Sequence, residues 1–207
     1  MNFKIFLIFL LMLPFVLHAQ QTENSSEKNW SGSVEGYYYF IPEQNIHPTI
    51  IGCADINSFH LETRYNYEDI NTASVFAGYT WEKDGKFSFS VTPMAGVAVG
   101  NSSGILPGLE CTASYSNINF YSENEYMLAF SGKENYFFYS WSQLSTGTLK
   151  NMQAGVVAQT LRWYQTKFDI QHGVYAEYSL GNFTFGAYYF NPLTHYDFVV
   201  ASLTYEF

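Results

Sequence analysis

The C-terminal segment Asp197–Phe207 constrains this chain more than any other. Counting back in twos from Phe207 gives Tyr205, Leu203, Ala201 and Val199, an apolar face. The other face carries Glu206, Thr204 and Ser202, with Val200 and Phe198 further up. Side chains alternate across a strand, so this segment suits lipid on one side and a mostly polar interior on the other. Its length matches a tilted membrane strand of about 9–11 residues. Composition asks for the same environment. Aromatic residues make up 20% of the chain and charged residues 13%, against roughly 25% charged in an ordinary soluble domain. In water that aromatic surface would be exposed and adhesive, whereas a barrel carries it outside, in two belts at the water–lipid boundaries.

The N-terminus agrees. Lys4 precedes an apolar run from Ile5 to Leu17, broken only by Pro14, and Leu17-His18-Ala19 offers a small residue at a cleavage point. These features read as a secretory signal peptide over 1–19, too short and too interrupted for a spanning helix. No Cys lies near the cut, which argues against a lipid anchor. Residues 20–29 are polar and form a periplasmic tail. No later stretch holds the ~18 consecutive apolar residues of a membrane helix. The charge balance is acidic, with 9 Lys and Arg against 18 Asp and Glu, and excludes a nucleic-acid partner. Lys28, Lys83, Lys86, Lys133, Lys150 and Lys167 fall in the tail or at turns. That is the avoidance expected where a lipid-facing Lys at mid-depth costs about 2–4 kcal/mol.

From Trp30 onward, strand-like runs alternate with turn-like punctuation such as Lys83-Asp84-Gly85-Lys86, Ser131-Gly132-Lys133-Glu134 and Gly181-Asn182. The pattern predicts strands over 30–41, 57–67, 72–82, 87–99, 107–116, 118–130, 135–146, 152–163, 167–180, 183–191 and 197–207. Bacterial single-chain barrels close with an even strand number and both termini in the periplasm. A descending strand is therefore required between the first two runs, and 46–54 supplies it, with Asp55-Ile56 as its turn. The expected fold is all-β: one antiparallel transmembrane barrel over 30–207, of twelve strands, with ten as the alternative.

Alternation assigns a lumen. Over 57–67, Phe59, Leu61, Thr63 and Tyr65 point outward while His60, Glu62, Arg64 and Asn66 point inward. The same counting puts Glu35, Tyr37 and Tyr39 inside, with Ser74, Phe76, Gly78, Thr80 and Glu82, then Glu110, Thr112 and Ser114, and Asp169, Gln171, Tyr175 and Glu177. With Glu206 these define a polar cluster of Glu35, His60, Glu62, Arg64, Glu82, Glu110, Asp169, Glu177 and Glu206. Arg162 has the opposite parity to Gln153 and Gln159, which turns it outward near the outer rim if those two face in. His60, Glu62 and Arg64 lie about 7 Å apart per step along one strand. An interior salt-bridge network is preferred over a solute-selecting constriction, because a charge sealed in a narrow lumen needs a partner in either case.

Catalytic readings find little. Barrel lipases need Ser, His and an acid or Asn at the rim, but the mature chain offers only His47, His60, His172 and His195. His172 projects toward lipid and His195 sits in a loop. No Gly-x-Ser-x-Gly, His-Glu-x-x-His or phosphate loop occurs, and neither a cofactor nor a metal set with recognisable spacing is expected. Cys53 and Cys111 are permitted a disulfide in an oxidising compartment, yet both lie in apolar strand patterns and read as small hydrophobes in separate strands. Three functions stay open: a narrow passive channel for small solutes with weak cation preference, a closed structural or surface barrel, and a lipid-modifying enzyme. The inward Tyr37, Tyr39, Phe76 and Tyr175 could fill a pore of this size.

The closing strand, through Leu203, Tyr205 and Phe207, resembles the C-terminal assembly signal of bacterial outer-membrane barrels. That resemblance implies the barrel assembly machinery and outer-membrane lipid as partners. The runs His60-Leu61-Glu62-Thr63-Arg64-Tyr65-Asn66-Tyr67-Glu68, Pro107-Gly108-Leu109-Glu110 and Tyr139-Ser140-Trp141-Ser142 resemble a family of small exported outer-membrane barrels, from about residue 47 to the C-terminus. It implies the fold and the outer-membrane location, and carries no assigned activity to transfer.

Overall fold

In the computed structural model, residues 30–42 and 47–207 are described; the expected signal peptide and tail lie outside them. The alternating runs become β1 (Trp30–Phe40), β2 (Pro48–Ile56), β3 (Phe59–Tyr65), β4 (Ala73–Tyr79), β5 (Trp81–Lys83), β6 (Phe87–Val99), β7 (Gly104–Tyr115), β8 (Ile118–Ala129), β9 (Phe137–Leu149), β10 (Met152–Trp163), β11 (Asp169–Leu180), β12 (Phe183–Phe190) and β13 (Phe198–Glu206). Consecutive strands pair antiparallel except β4 and β5, which both pair with β6; β1 pairs with β13, so the sheet closes on itself.

The thirteen segments build twelve barrel strands. β4 and β5 run in one register along β6, from Ala73↔Val99 through Gly78↔Met94 to Trp81↔Val91 and Lys83↔Phe89. That register sets Pro93 opposite Tyr79 and Thr92 opposite Thr80, so the ladder lapses beside a proline that has no N–H to give it. On its other side Thr80 donates its N–H to the Ser58 carbonyl at 2.8 Å, and across the gap it shares a hydroxyl bond with Thr92 at 2.9 Å.

The twelfth strand that parity demanded is β2, displaced from its expected bounds. It starts at Pro48 rather than 46 and continues through Asp55 and Ile56, which pair with His60 and Phe59. The turn is Asn57-Ser58, not Asp55-Ile56. Asn57 takes a left-handed backbone, φ 54°, which Asn tolerates better than Asp or a β-branched Ile. Asn151 and Gly181 serve the hairpins β9–β10 and β11–β12 in the same way. These tight turns and both barrel ends, Trp30 and Phe207, mark the periplasmic end; the longer connections mark the outer end.

The exterior follows the counted faces. Val34, Leu61, Val75, Val97, Ile105, Val156 and Val174 form an exposed aliphatic band. Trp30, Phe59, Trp81, Phe87, Tyr115, Phe183 and Tyr205 ring the periplasmic end, and Tyr38, Phe40, Tyr65, Phe130, Trp163 and Phe168 ring the outer end. A water-exposed band of this kind is untenable and a lipid-exposed one is favourable. The chain is an outer-membrane β-barrel protein. Arg162 lies on the outside, its guanidinium 4.7 Å from the Phe168 ring.

The seam between first and last strands ends on Phe207. Gly32 and Phe207 exchange backbone bonds of 3.2 and 3.0 Å, one register step beyond Ser33↔Glu206. The Phe207 ring covers Gly32, where a Cβ would lie 2.7 Å from it, and meets Trp30 at 5.8 Å and Tyr205 at 6.1 Å.

Candidate functional site: a divided lumen

The lumen changes character along its axis. In the outer half the inward positions are occupied by Phe76, Ala98, Leu106, Met127, Phe137, Phe190, Phe198 and Val200, and six of these eight have 0% exposure. Phe76 fits because its partner across the ladder is Gly96, where a Cβ would stand 2.5 Å from the ring. Phe190 stacks on Phe198 at 4.8 Å, and Trp141 meets both Tyr188 and Phe190 edge-on at 5.3 and 5.4 Å. Tyr37 of β1 reaches Trp141 of β9 at 6.2 Å, and Tyr67, just beyond β3, reaches Tyr139 of β9 at 5.4 Å. These strands lie on distant parts of the ring, so the contacts bridge the bore. The expectation of a mostly polar interior is corrected for this half.

Within this packing Arg64 reaches across the bore, 2% exposed. Its Nε donates to Glu62, its NH1 to Glu125 at 2.7 Å, and its NH2 lies 2.6 Å from Glu123; Glu68 is at 3.9 Å. The guanidinium sits between the Tyr67 and Phe76 rings, 4.4 and 4.2 Å from their centres, geometry that adds cation–π attraction. Tyr67 donates to Glu123 at 2.9 Å and Ser74 to Glu68 at 2.6 Å. Burial pushes the Glu68 carboxyl, in the loop beyond β3, above its ordinary value against the pull of Arg64.

The periplasmic half is open. A cavity of about 550 Å³ is lined by Glu35, Cys53, Asp55, His60, Glu62, Glu110, Glu123, Glu177 and Glu206, with Tyr37, Tyr121, Trp141 and Tyr188 among its walls. A second cavity of about 470 Å³ at the rim is lined by Glu82, Thr80, Ser90 and Thr92, and shares Asp55, His60 and Glu110 with the first. Together they form an acidic vestibule. Tyr37 donates to Glu35 at 2.8 Å, and Tyr188 and Gln153 donate to Glu177.

Of the residues singled out from the sequence, Glu35, His60, Glu62, Glu110, Glu177 and Glu206 therefore line one cavity, Glu82 lines its neighbour, and Arg64 caps them from above. Asp169 does not join them: it opens β11 at the outer end, exposed and in neither cavity. Cys53 and Cys111 lie in separate strands with free thiols; β2's register turns Cys53 into the vestibule opposite Glu62, while Cys111 lies on the outer face. Glu123 and Glu125 were not anticipated. Their parity matches buried Met127, but polar Ser122 and Asn124 alternate with them and hid the lipid face. Asp55 was missed through the misplaced turn, and Glu68 because a loop residue has no parity.

No protein-family model and no curated relative matches this chain. Solved structures do. A KdgM porin superposes with a TM-score of 0.64 at 15% identity, covering 84% of this chain and 99% of that one. The KdgM porin in complex with disordered oligogalacturonate gives 0.65 at 14%, with the same coverage. The NanC porin gives 0.53 at 10%, covering 84% of this chain and 97% of that one. At these identities the likeness is one of fold: a small outer-membrane barrel of porin type.

Proposed function

We propose that this barrel is a narrow outer-membrane passage for small cationic or neutral solutes, entered on the periplasmic side through the acidic vestibule and shut at rest by the packed outer half. The observation that carries the reading is the charge of the vestibule wall, where Glu35, Asp55, Glu62, Glu110, Glu177 and Glu206 face a cavity of about 550 Å³. Carboxylates lining a low-dielectric cleft concentrate cations and repel anions. Oligogalacturonate, bound by one fold neighbour, is a chain of carboxylates and would be repelled here, so that substrate is not carried across. The seal consists of inward side chains of the barrel strands, with Phe76 and Leu106 among them.

Planar-bilayer recording tests the proposal. Small, infrequent conductance steps are expected, with a reversal potential in a salt gradient that favours the cation. Phe76→Ala should raise both the size and the frequency of the steps. Anion selectivity, or silence from both wild type and Phe76→Ala, would reject it. A second reading, a closed barrel without transport, is favoured by the complete burial of Phe76, Leu106, Met127 and Phe190, and predicts that silence.

A further inference from the structure

We propose that the inner face of the β2–β3 hairpin is a binding site for a borderline divalent metal ion of the Zn²⁺ class, with Cys53, His60 and Glu62 as ligands. The pairing sets four donors on a two-by-two lattice: Cys53 opposite Glu62 and Asp55 opposite His60. One donor atom each from Cys53, His60 and Glu62 lie within 4.8 Å of one another. In a tetrahedral zinc site with bonds of 2.0–2.3 Å, donors stand roughly 3.3–3.8 Å apart. Side-chain rotation closes that difference while the strands stay in place.

The surroundings orient two of the three ligands. Asp55 Oδ1 holds His60 Nδ1 at 2.9 Å, leaving Nε2 directed at Glu62 Oε2, 3.3 Å away. A carboxylate behind the far nitrogen is the arrangement that fixes a ligating imidazole's tautomer and raises its basicity. Arg64 occupies the other Glu62 oxygen, Oε1, so Oε2 is the one available to a cation. A metal ion would take the place of the proton between Nε2 and Oε2 and draw in the Cys53 sulfur as thiolate, releasing its proton to solvent. All three ligands line the vestibule cavity, so the fourth position faces water or a solute. Thiolate, imidazole and carboxylate together suit Zn²⁺ or Co²⁺ and disfavour Ca²⁺ and Mg²⁺, which take oxygen donors. The inference does not depend on whether the bore conducts.

Co²⁺ titration of the mature barrel in detergent is the experiment, with folding checked by heat-modifiable gel migration of every sample. Wild type should bind one Co²⁺ per chain with a thiolate-to-cobalt charge-transfer band that added Zn²⁺ abolishes. Cys111→Ser should keep the band, Cys53→Ser and His60→Gln should lose it, and Asp55→Asn should weaken binding about 10–100-fold, as for other orienting partners of metal ligands. A folded wild type without the band, a band surviving Cys53→Ser, or one lost in Cys111→Ser would overturn the assignment. Should Cys53→Ser fail to fold, His60→Gln and Asp55→Asn still decide it.

Discussion

The two halves of this lumen are built by the same strands under the same alternation, yet one is dry and the other wet. From β4 to β8 the inward positions near the outer end are Phe76, Ala98, Leu106 and Met127; toward the periplasmic end they are Thr80, Glu82, Thr92, Glu110 and Tyr121. Alternation decides which way a side chain points. What it meets there depends on height, and the outer half is stabilised by apolar burial where the inner half is stabilised by backbone pairing and solvated charge. Arg64 stands at the boundary, its guanidinium against the Phe76 ring and its partners Glu62 and Glu123 lining the vestibule.

Four experiments would break or sharpen that contrast. The largest effect is expected from deleting Phe207. The wet half has no core to hold its seam, so closure there rests on the Gly32–Phe207 pairing and on the Phe207 ring against Trp30, besides the role we propose for this residue as an assembly signal. The deletion should leave unfolded protein in the periplasm, and unchanged heat-modifiable migration would refute the dependence.

Next come the two residues at the dry boundary. Phe76→Ala should cost about 3–5 kcal/mol, as truncation of a fully buried aromatic does, read from detergent-phase unfolding in urea. Arg64→Met leaves Glu62, Glu123 and Glu125 facing one another without their guanidinium, and breaking a buried ion network in this way costs about 3–5 kcal/mol. If water reaches the cluster, screening will shrink that loss and the mutant will instead alter ion selectivity. A large selectivity change at constant stability would move the wet–dry boundary above Arg64.

The smallest stability change belongs to the vestibule. Glu177→Gln should alter unfolding by less than about 1 kcal/mol, the usual worth of a solvated charge interaction, while moving the reversal potential toward zero. A loss as large as that of Phe76→Ala would mean the two halves are not different in kind.

Much of this was readable from the chain. The closing strand, the aromatic excess and the need for an even strand count lead to the twelve-strand barrel, and period-two counting turns His60, Glu62, Arg64 and Phe76 inward as they lie. Reading failed where the period was masked or absent. Ser122 and Asn124 hid the facing of Glu123 and Glu125; one is bonded to Ser142 and the other to Ser122, at 2.9 and 3.0 Å, which satisfies polar groups on the outer wall. A two-residue error in the β2 turn removed Asp55 from view and detached Cys53 from its partner Glu62.

Facing is thus a local property, carried by alternation within each strand and available to anyone who counts. Meeting is not local. That Arg64 of β3 reaches Glu125 of β8, that Trp141 joins Tyr37 to Phe190, and that Cys53 lies opposite Glu62 depend on register and on closure of the ring. Those are set by pairings between segments far apart in the chain, and a shift of two residues preserves every face while exchanging every neighbour.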